Sequence, residues 1–185
     1  MAYASITKPG LYFNTKLYTG NGSYGHAITG VGFQPDMVWI KRRDGSARNH
    51  ELYDSVRGTD KAIYPNSNAT EATGVNLLHS FDSDGFTVDD HAGINSANNF
   101  VSWNWKTGTT GSGSTTGSGT SKTYNYSVNT TSRLSITKYT GNGNSGHTIP
   151  HSLGTTPTLI MVKELGASDY WRVYHPALTT NYNLY

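Results

Sequence analysis

The sequence predicts an all-β protein built of two β-sandwich-like domains that are related by internal duplication, the second of them incomplete. Its 185 residues include 21 glycines and 6 prolines, and only 14% are charged while 12% are aromatic. Strand-forming and turn-forming residues therefore alternate along the chain. A glycine-rich nonapeptide also occurs twice, as YTGNGSYGH at 18–26 and as YTGNGNSGH at 139–147.

The correspondence between the two copies extends past the nonapeptide. Residues 26–41 (HAITGVGFQPDMVWIK) can be laid on residues 147–163 (HTIPHSLGTTPTLIMVK) with one extra residue in the second copy. The apolar runs MVWI and LIMV fall in the same place, and we expect each to be a strand buried on both faces. A period this long is typical of a duplicated domain rather than of a solenoid.

The predicted organisation is an N-terminal extension at 1–9, a first β domain at 10–106, a linker at 107–121 and a second β domain at 122–185. The linker reads TGTTGSGSTTGSGTS, which contains no apolar residue and is typical of a flexible linker or surface loop. The second copy stops near its middle. We expect the missing strands to come from a longer polypeptide or from a neighbour, because open sheet edges seek pairing.

The first domain contains further predicted strands. The segment DSDG is predicted to join two strands as a turn, with Phe81 and Phe86 as a cross-strand pair. Residues 98–108 (NNFVSWNWKTG) alternate strictly, which predicts a half-buried strand whose Val101, Trp103 and Trp105 face the core.

Composition and charge exclude several classes of partner. The net charge is only +2, and basic residues are scattered apart from KRR at 41–43, which argues against nucleic acid. The absence of cysteine excludes disulfides and thiolate metal sites. No apolar run approaches the roughly 20 residues of a bilayer span, so we expect no membrane insertion.

Residue patterns also argue against catalysis. Glycoside hydrolysis needs two carboxylates across a cleft, but no candidate lies in an acid/base motif; the candidates are Glu51, Asp54, Asp82, Asp84, Asp89 and Asp90. The DSDG segment lacks the later ligands of a calcium loop. His147 and His151 are four residues apart but flank Pro150, which argues against a zinc site. We therefore expect a protein that is not an enzyme and that binds no metal and no cofactor. His26 and His147 are expected to make structural contacts that close the glycine-rich loops.

Four residues are candidate ligand contacts. Trp105 lies near the end of its strand, where its ring can face a ligand instead of the core. His50, Tyr53 and Arg57 lie on or beside a strand that runs into a turn. Trp39 aligns with Met161 in the second copy, an apolar exchange that predicts a core position.

Four motifs in this order resemble a β-rich domain that recurs in structural proteins of tailed bacteriophages, notably marine ones, often beside concanavalin A-like lectin domains. They are YTGNGSYGHAITGVGFQPDMVWIKRR, HELYDSVRG, SFDSDGFTV and FVSWNWKTG. The second copy, from SVNTTSRLSITKYTGNG to TLIMVK, is similar to the companion repeat of such proteins. The resemblance implies a jelly-roll or lectin-like sandwich and a location in the virion.

The expected function is therefore that of a non-enzymatic viral structural protein, a component of a tail fibre or appendage. Its expected work is assembly, as a homo-oligomer with other virion proteins, and attachment to a host-surface glycan. Two alternatives stay open. One is a phage depolymerase that cuts surface polysaccharide, and the other is a capsid decoration or scaffold protein without a ligand.

Overall fold

The computed structural model describes residues 6–178 and, for the backbone, 182–184. The described chain is almost entirely β, with one single-turn helix, α1 (Ala92–Asn95), and a short 3₁₀ turn at Pro9–Leu11. The all-β prediction is confirmed. Its strands are β1 (Phe13–Thr19), β2 (His26–Thr29), β3 (Met37–Arg42), β4 (Glu51–Asp54), β5 (Gly58–Ile63), β6 (Ala72–Thr73), β7 (Leu78–Asp82), β8 (Gly85–Val88), β9 (Asn99–Trp105), β10 (Thr109–Ser114), β11 (Thr116–Gly117), β12 (Thr123–Asn129), β13 (Leu134–Tyr139), β14 (His147–Thr148), β15 (Ile160–Val162), β16 (Trp171–Tyr174) and β17 (Tyr182–Leu184).

The first half of the chain forms a two-layer sandwich. A six-stranded antiparallel sheet in the order β1-β9-β3-β4-β5-β6 packs against a three-stranded sheet in the order β2-β8-β7. Apolar side chains of both sheets fill the space between them, because each sheet must hide one face from water. The central members of this core are Ile28, Val38, Ile40, Tyr53, Phe86, Val88 and Phe100.

The hairpin between β7 and β8 agrees with the sequence prediction. Phe81 and Phe86 are direct partners across it, and Ser83 and Asp84 form the turn. The Asp84 carboxylate accepts hydrogen bonds from the backbone N–H groups of Gly30 (3.0 Å) and Gly32 (2.6 Å). These bonds hold the pKa of Asp84 below its ordinary value. The turn therefore ties the smaller sheet to the loop after β2.

Strand β9 lies where the alternation predicts it, but its faces are reversed. Phe100, Ser102 and Asn104 are fully buried, while Trp103 and Trp105 lie half-buried on the other face. The polar pair is tolerated inside because Asn104 Nδ2 donates to the Asn14 carbonyl (3.1 Å) and to Ser102 Oγ (3.0 Å). The prediction that the tryptophans face the core is wrong.

The segment 107–121 is not the strandless linker that its composition predicts. It contains β10 and β11, and β10 pairs with β12 so that Gly111 faces Tyr126 and Gly113 faces Tyr124. A Cβ at Gly111 would lie 2.6 Å from the Tyr126 hydroxyl, so the tyrosine ring covers the glycine. The partner strand supplies the surface that β10 lacks, which is how aromatic residues stabilise glycine in sheets.

The second half of the chain forms smaller sheets, β10-β12-β13, β11-β14 and β15-β16-β17. The run LIMV was expected to be buried on both faces, yet Leu159 is 56% exposed and Ile160 40% exposed. In the first half, Val38 and Ile40 of the corresponding run are 0% exposed. The division into domains at 107–121 stays a prediction.

The two glycine-rich nonapeptides adopt the same local backbone. Gly22 and Gly143 have φ of 68° and 75°, values in the left-handed region that glycine adopts without strain. In each loop the asparagine before this glycine accepts a hydrogen bond from the N–H two residues on, at 2.8 Å in the first copy and 3.0 Å in the second. The duplication itself stays a prediction.

The loop histidines form structural hydrogen bonds, as the sequence predicts. A ring nitrogen of His26 lies 2.8 Å from Asn95 Oδ1, and one of His147 lies 2.6 Å from Thr115 Oγ1. Within the described ranges, no helix is long and apolar enough to cross a membrane.

Candidate functional site

The candidate site lies on the outer face of the six-stranded sheet, the side turned away from β2, β7 and β8. Antiparallel register places residues of β1, β9 and β3 side by side in rows on this face. One row holds Phe13, Trp105 and Met37, and the next holds Thr15, Trp103 and Trp39. We call the four aromatic residues, Phe13, Trp39, Trp103 and Trp105, the outer aromatic face.

The rings of the outer aromatic face support one another in pairs. The ring centroids of Phe13 and Trp105 are 5.0 Å apart, and those of Trp39 and Trp103 are 6.2 Å apart in an edge-to-face arrangement. Both separations fall in the range that aromatic pairs prefer. Each tryptophan ring is therefore held by a neighbour while part of its surface stays open to water.

The indole N–H groups distinguish the two tryptophans of β9 from the others. Trp39 Nε1 donates to His50 Nδ1 (2.8 Å), and Trp171 Nε1 donates to the Tyr64 carbonyl (2.9 Å). Among the described residues, no acceptor faces the indole N–H of Trp103 or of Trp105. Since these two side chains are only half-buried, their donors are free for water or a ligand.

One side of the outer face is closed by the second half of the chain. Trp171, which is 4% exposed, packs with Leu165 against Leu52 and Ile63. The opposite side, along β1, is open: Phe13 is 38% exposed and Leu17 is 58% exposed. The accessible aromatic surface is therefore the part formed by β1, β9 and β3.

Two of the four ligand contacts predicted from sequence lie at this site. Trp105 belongs to the outer aromatic face, and His50 borders it through its bond with Trp39. Burial, helped by the charge of Lys41, lowers the pKa of His50. Its neutral ring accepts a hydrogen bond at Nδ1 from the Trp39 indole N–H, which fixes the orientation of that indole.

The structure places the other two, Tyr53 and Arg57, inside the protein. Tyr53 is 0% exposed and its hydroxyl donates to Glu51 Oε2 at 2.5 Å. The Arg57 guanidinium donates to Asp54 Oδ2 (2.5 Å), Glu71 Oε2 (3.1 Å) and the Leu52 carbonyl (2.9 Å). Strand position alone did not reveal this burial, which removes both residues from contact with a surface ligand.

Five of the six candidate carboxylates have structural partners, and the sixth, Asp90, is exposed. Glu51 accepts from Tyr53, Asp54 from Arg57, and Asp84 from two glycine N–H groups. Asp82 accepts from the hydroxyls of Ser80 and Thr87, and Asp89 from the Gly25 N–H. Among the described residues, no group of three or more histidine, aspartate or glutamate side chains could hold a metal ion.

One partly buried ion pair makes the stability of the fold depend on pH. His91 Nδ1 lies 3.3 Å from Glu51 Oε1, an ion-pair distance without hydrogen-bond alignment. The contact with this carboxylate raises the pKa of His91 above its ordinary value, although burial opposes the shift. The stabilisation from the charged ring is fully present below about pH 6.5, the unfolded value, and is lost as the pH rises through the higher folded value.

We therefore expect His91→Gln to reduce the dependence of the free energy of unfolding on pH in this range. Urea unfolding of the wild type and the variant between about pH 5 and pH 9 measures it. The difference between the two should shrink as the pH rises, and Glu51→Gln should abolish the His91-dependent slope. A difference that grows with pH would contradict the assignment.

The fold and this face define a class of protein: an all-β sandwich with an accessible aromatic sheet face and, in its described part, no metal cluster. The chain belongs to the family described as Domain of unknown function (DUF7483), whose model matches residues 8–185. No curated protein and no solved structure was found to match the chain.

Proposed function

We propose that the chain is a non-enzymatic structural protein of a virion, a component of a phage tail fibre or appendage, that attaches to neutral glycans on the host surface. The motif order described above supports the virion assignment through its resemblance to phage structural domains. The outer aromatic face supports the attachment role.

The observation that carries the attachment role is the pair Trp103 and Trp105, half-buried and without an acceptor for either indole N–H. The C–H face of a pyranose ring packs well on an aromatic ring, and an indole N–H can donate to a sugar hydroxyl. The hydroxyl of Thr15 lies in the same row as Trp103 and is exposed. The face thus offers both kinds of contact that a saccharide needs.

Duplication and oligomerisation are part of the same proposal. The matching backbone of the two nonapeptides supports descent from one module. A fibre that presents many weak glycan sites gains strong attachment through multivalency, without any deep pocket. A homo-oligomer that associates with other virion proteins meets this requirement.

Trp105→Ala tests the proposal on an array of bacterial surface glycans. We expect binding to fall about fivefold, since one aromatic contact contributes on the order of 1 kcal/mol. Tyr24→Ala is the matched control, because Tyr24 is 64% exposed but lies on the first glycine loop, away from this face. Undiminished binding by a folded Trp105→Ala protein would contradict the proposed site.

Each of the two alternative functions predicts a different experimental result. A depolymerase would release new reducing ends from host capsule or lipopolysaccharide. A decoration or scaffold protein would bind virions that lack it while the glycan array stays blank. Either result would replace the attachment proposal.

A further inference from the structure

We propose that a groove between the turn after β4 and the strands β10 and β12 is a second binding site, for a short neutral saccharide. The groove has a volume of about 350 Å³, within the range of small-molecule sites. The inference takes its ligand class, a neutral saccharide, from the proposed function. The groove contains none of the outer aromatic residues, so an experiment can disprove binding at one site without disproving it at the other.

The lining of the groove is uncharged and rich in hydrogen-bonding groups. Thr110, Ser112 and Asn125 line it, and all three are exposed. Their side chains have no hydrogen-bond partner within the described residues. Two hydroxyls and one amide are therefore available to a ligand, and each can both donate and accept, as sugar hydroxyls do.

An aliphatic side chain adds an apolar part to the lining. Val56 borders the groove and is half-buried, whereas the Tyr126 side chain lies on the opposite face of the β10–β12 sheet from Thr110, Ser112 and Asn125. A sugar ring needs an apolar contact for its C–H face as well as polar contacts for its hydroxyls. No lysine, arginine or carboxylate lines the groove, which disfavours phosphate, sialic acid and other charged ligands.

The two walls of the groove are fixed to each other through Asp36. Its carbonyl accepts from the Ser55 N–H (2.8 Å) and its Oδ1 from the Ser55 hydroxyl (3.0 Å), on one wall. On the other side Oδ2 accepts from the Thr107 N–H (2.8 Å), and the Ser127 hydroxyl approaches Oδ1 at 3.4 Å. Walls held in place before binding reduce the entropy lost on binding.

The glycine content of β10 has a role in this arrangement. Because Gly111 has no side chain, the Tyr126 ring can lie across the strand. A larger residue at position 111 would collide with that ring. The low-complexity segment therefore forms one wall of the groove, and the Tyr126 ring covers the face of β10 opposite to Thr110 and Ser112.

The test is a titration of the ¹⁵N-labelled full chain with methyl glucoside, methyl galactoside, methyl mannoside and N-acetylglucosamine, followed by amide chemical shifts. We expect at least one of these sugars to shift the amides of 110–112 and 125–126. Sialic acid should shift them less. Ser112→Ala combined with Asn125→Ala should weaken binding at least tenfold.

Ser114→Ala is the matched control, since Ser114 is exposed on the same strand but does not line the groove. Trp105→Ala should leave the groove shifts unchanged, and its effect on the glycan array reports on the outer aromatic face alone. The inference is overturned if no neutral sugar shifts the groove amides, or if the double variant binds as the wild type does while its spectrum shows an intact fold.

Discussion

Replacement of Arg57 by leucine is expected to lower the free energy of unfolding by about 3–5 kcal/mol, the usual cost of removing one partner of a buried ion pair. The Arg57 side chain is 5% exposed and those of Asp54 and Glu71 are 6% and 12% exposed. Leucine would leave these carboxylates without their main cationic partner and the Leu52 carbonyl without its donor. Chemical denaturation at pH 7 measures the change.

Arg43→Leu is the control for this prediction. Arg43 is an exposed arginine on the segment after β3, and its replacement should change stability by no more than about 0.5 kcal/mol. If Arg57→Leu instead unfolded like the wild type and lost glycan binding, Arg57 would be a ligand contact after all.

A second large effect is expected at one glycine of the first nonapeptide. A Cβ at Gly20 would lie 2.1 Å from the carbonyl oxygen of Ser96 and 2.7 Å from the carbonyl carbon of Asn95. Both atoms belong to backbone, which cannot move aside as a flexible side chain can. Gly20→Ala should therefore destabilise the protein by at least the roughly 1–3 kcal/mol typical of overpacking.

The corresponding glycine of the second copy, Gly141, supplies the matched control. A Cβ there would meet no atom within 4 Å, so we expect Gly141→Ala to unfold at nearly the denaturant concentration of the wild type. Equal losses from the two substitutions would show that the two loops are held alike. That result would contradict the packing of the first loop against the end of α1.

The sequence located strands well because strand and turn residues alternate locally. The hairpin at DSDG and the strand at 98–108 depend only on neighbours in the chain, and both lie where they were expected. Which face of β9 is buried depends on other strands. Asn104 Nδ2 donates to the Asn14 carbonyl and to Ser102 Oγ inside the protein, and alternation of polarity cannot reveal such partners.

The prediction of a strandless linker at 107–121 was wrong for a related reason. Composition describes what β10 contains, whereas its stability depends on Tyr124 and Tyr126 of the neighbouring strand. The pairing of residues 111–113 (GSG) with residues 124–126 (YNY) could be predicted only if the strand register were known. The exposure of Ile160 and Met161 likewise depends on which elements pack on that sheet.

About half of the candidate site followed from sequence. Trp105 and His50 were named as candidate ligand contacts and lie at this face, and their role in binding stays a prediction. Trp39 was expected in the core and packs, partly buried, against Leu52, Ile63 and Trp171. Trp103 was expected in the core but lies on the outer face, and Phe13 was not considered. Burial of Tyr53 and Arg57 could not be inferred, because neighbouring strands and a distant glutamate, Glu71, enclose them.

The indole N–H resonances test the attachment role most directly. The chain has 4 tryptophans, and two of the indoles, Trp39 and Trp171, already donate to protein acceptors. When a binding glycan is added to the ¹⁵N-labelled protein, we predict large shifts for Trp103 and Trp105 and almost none for the buried Trp171. A glycan that binds without moving either β9 indole would contradict the outer aromatic face as the attachment site.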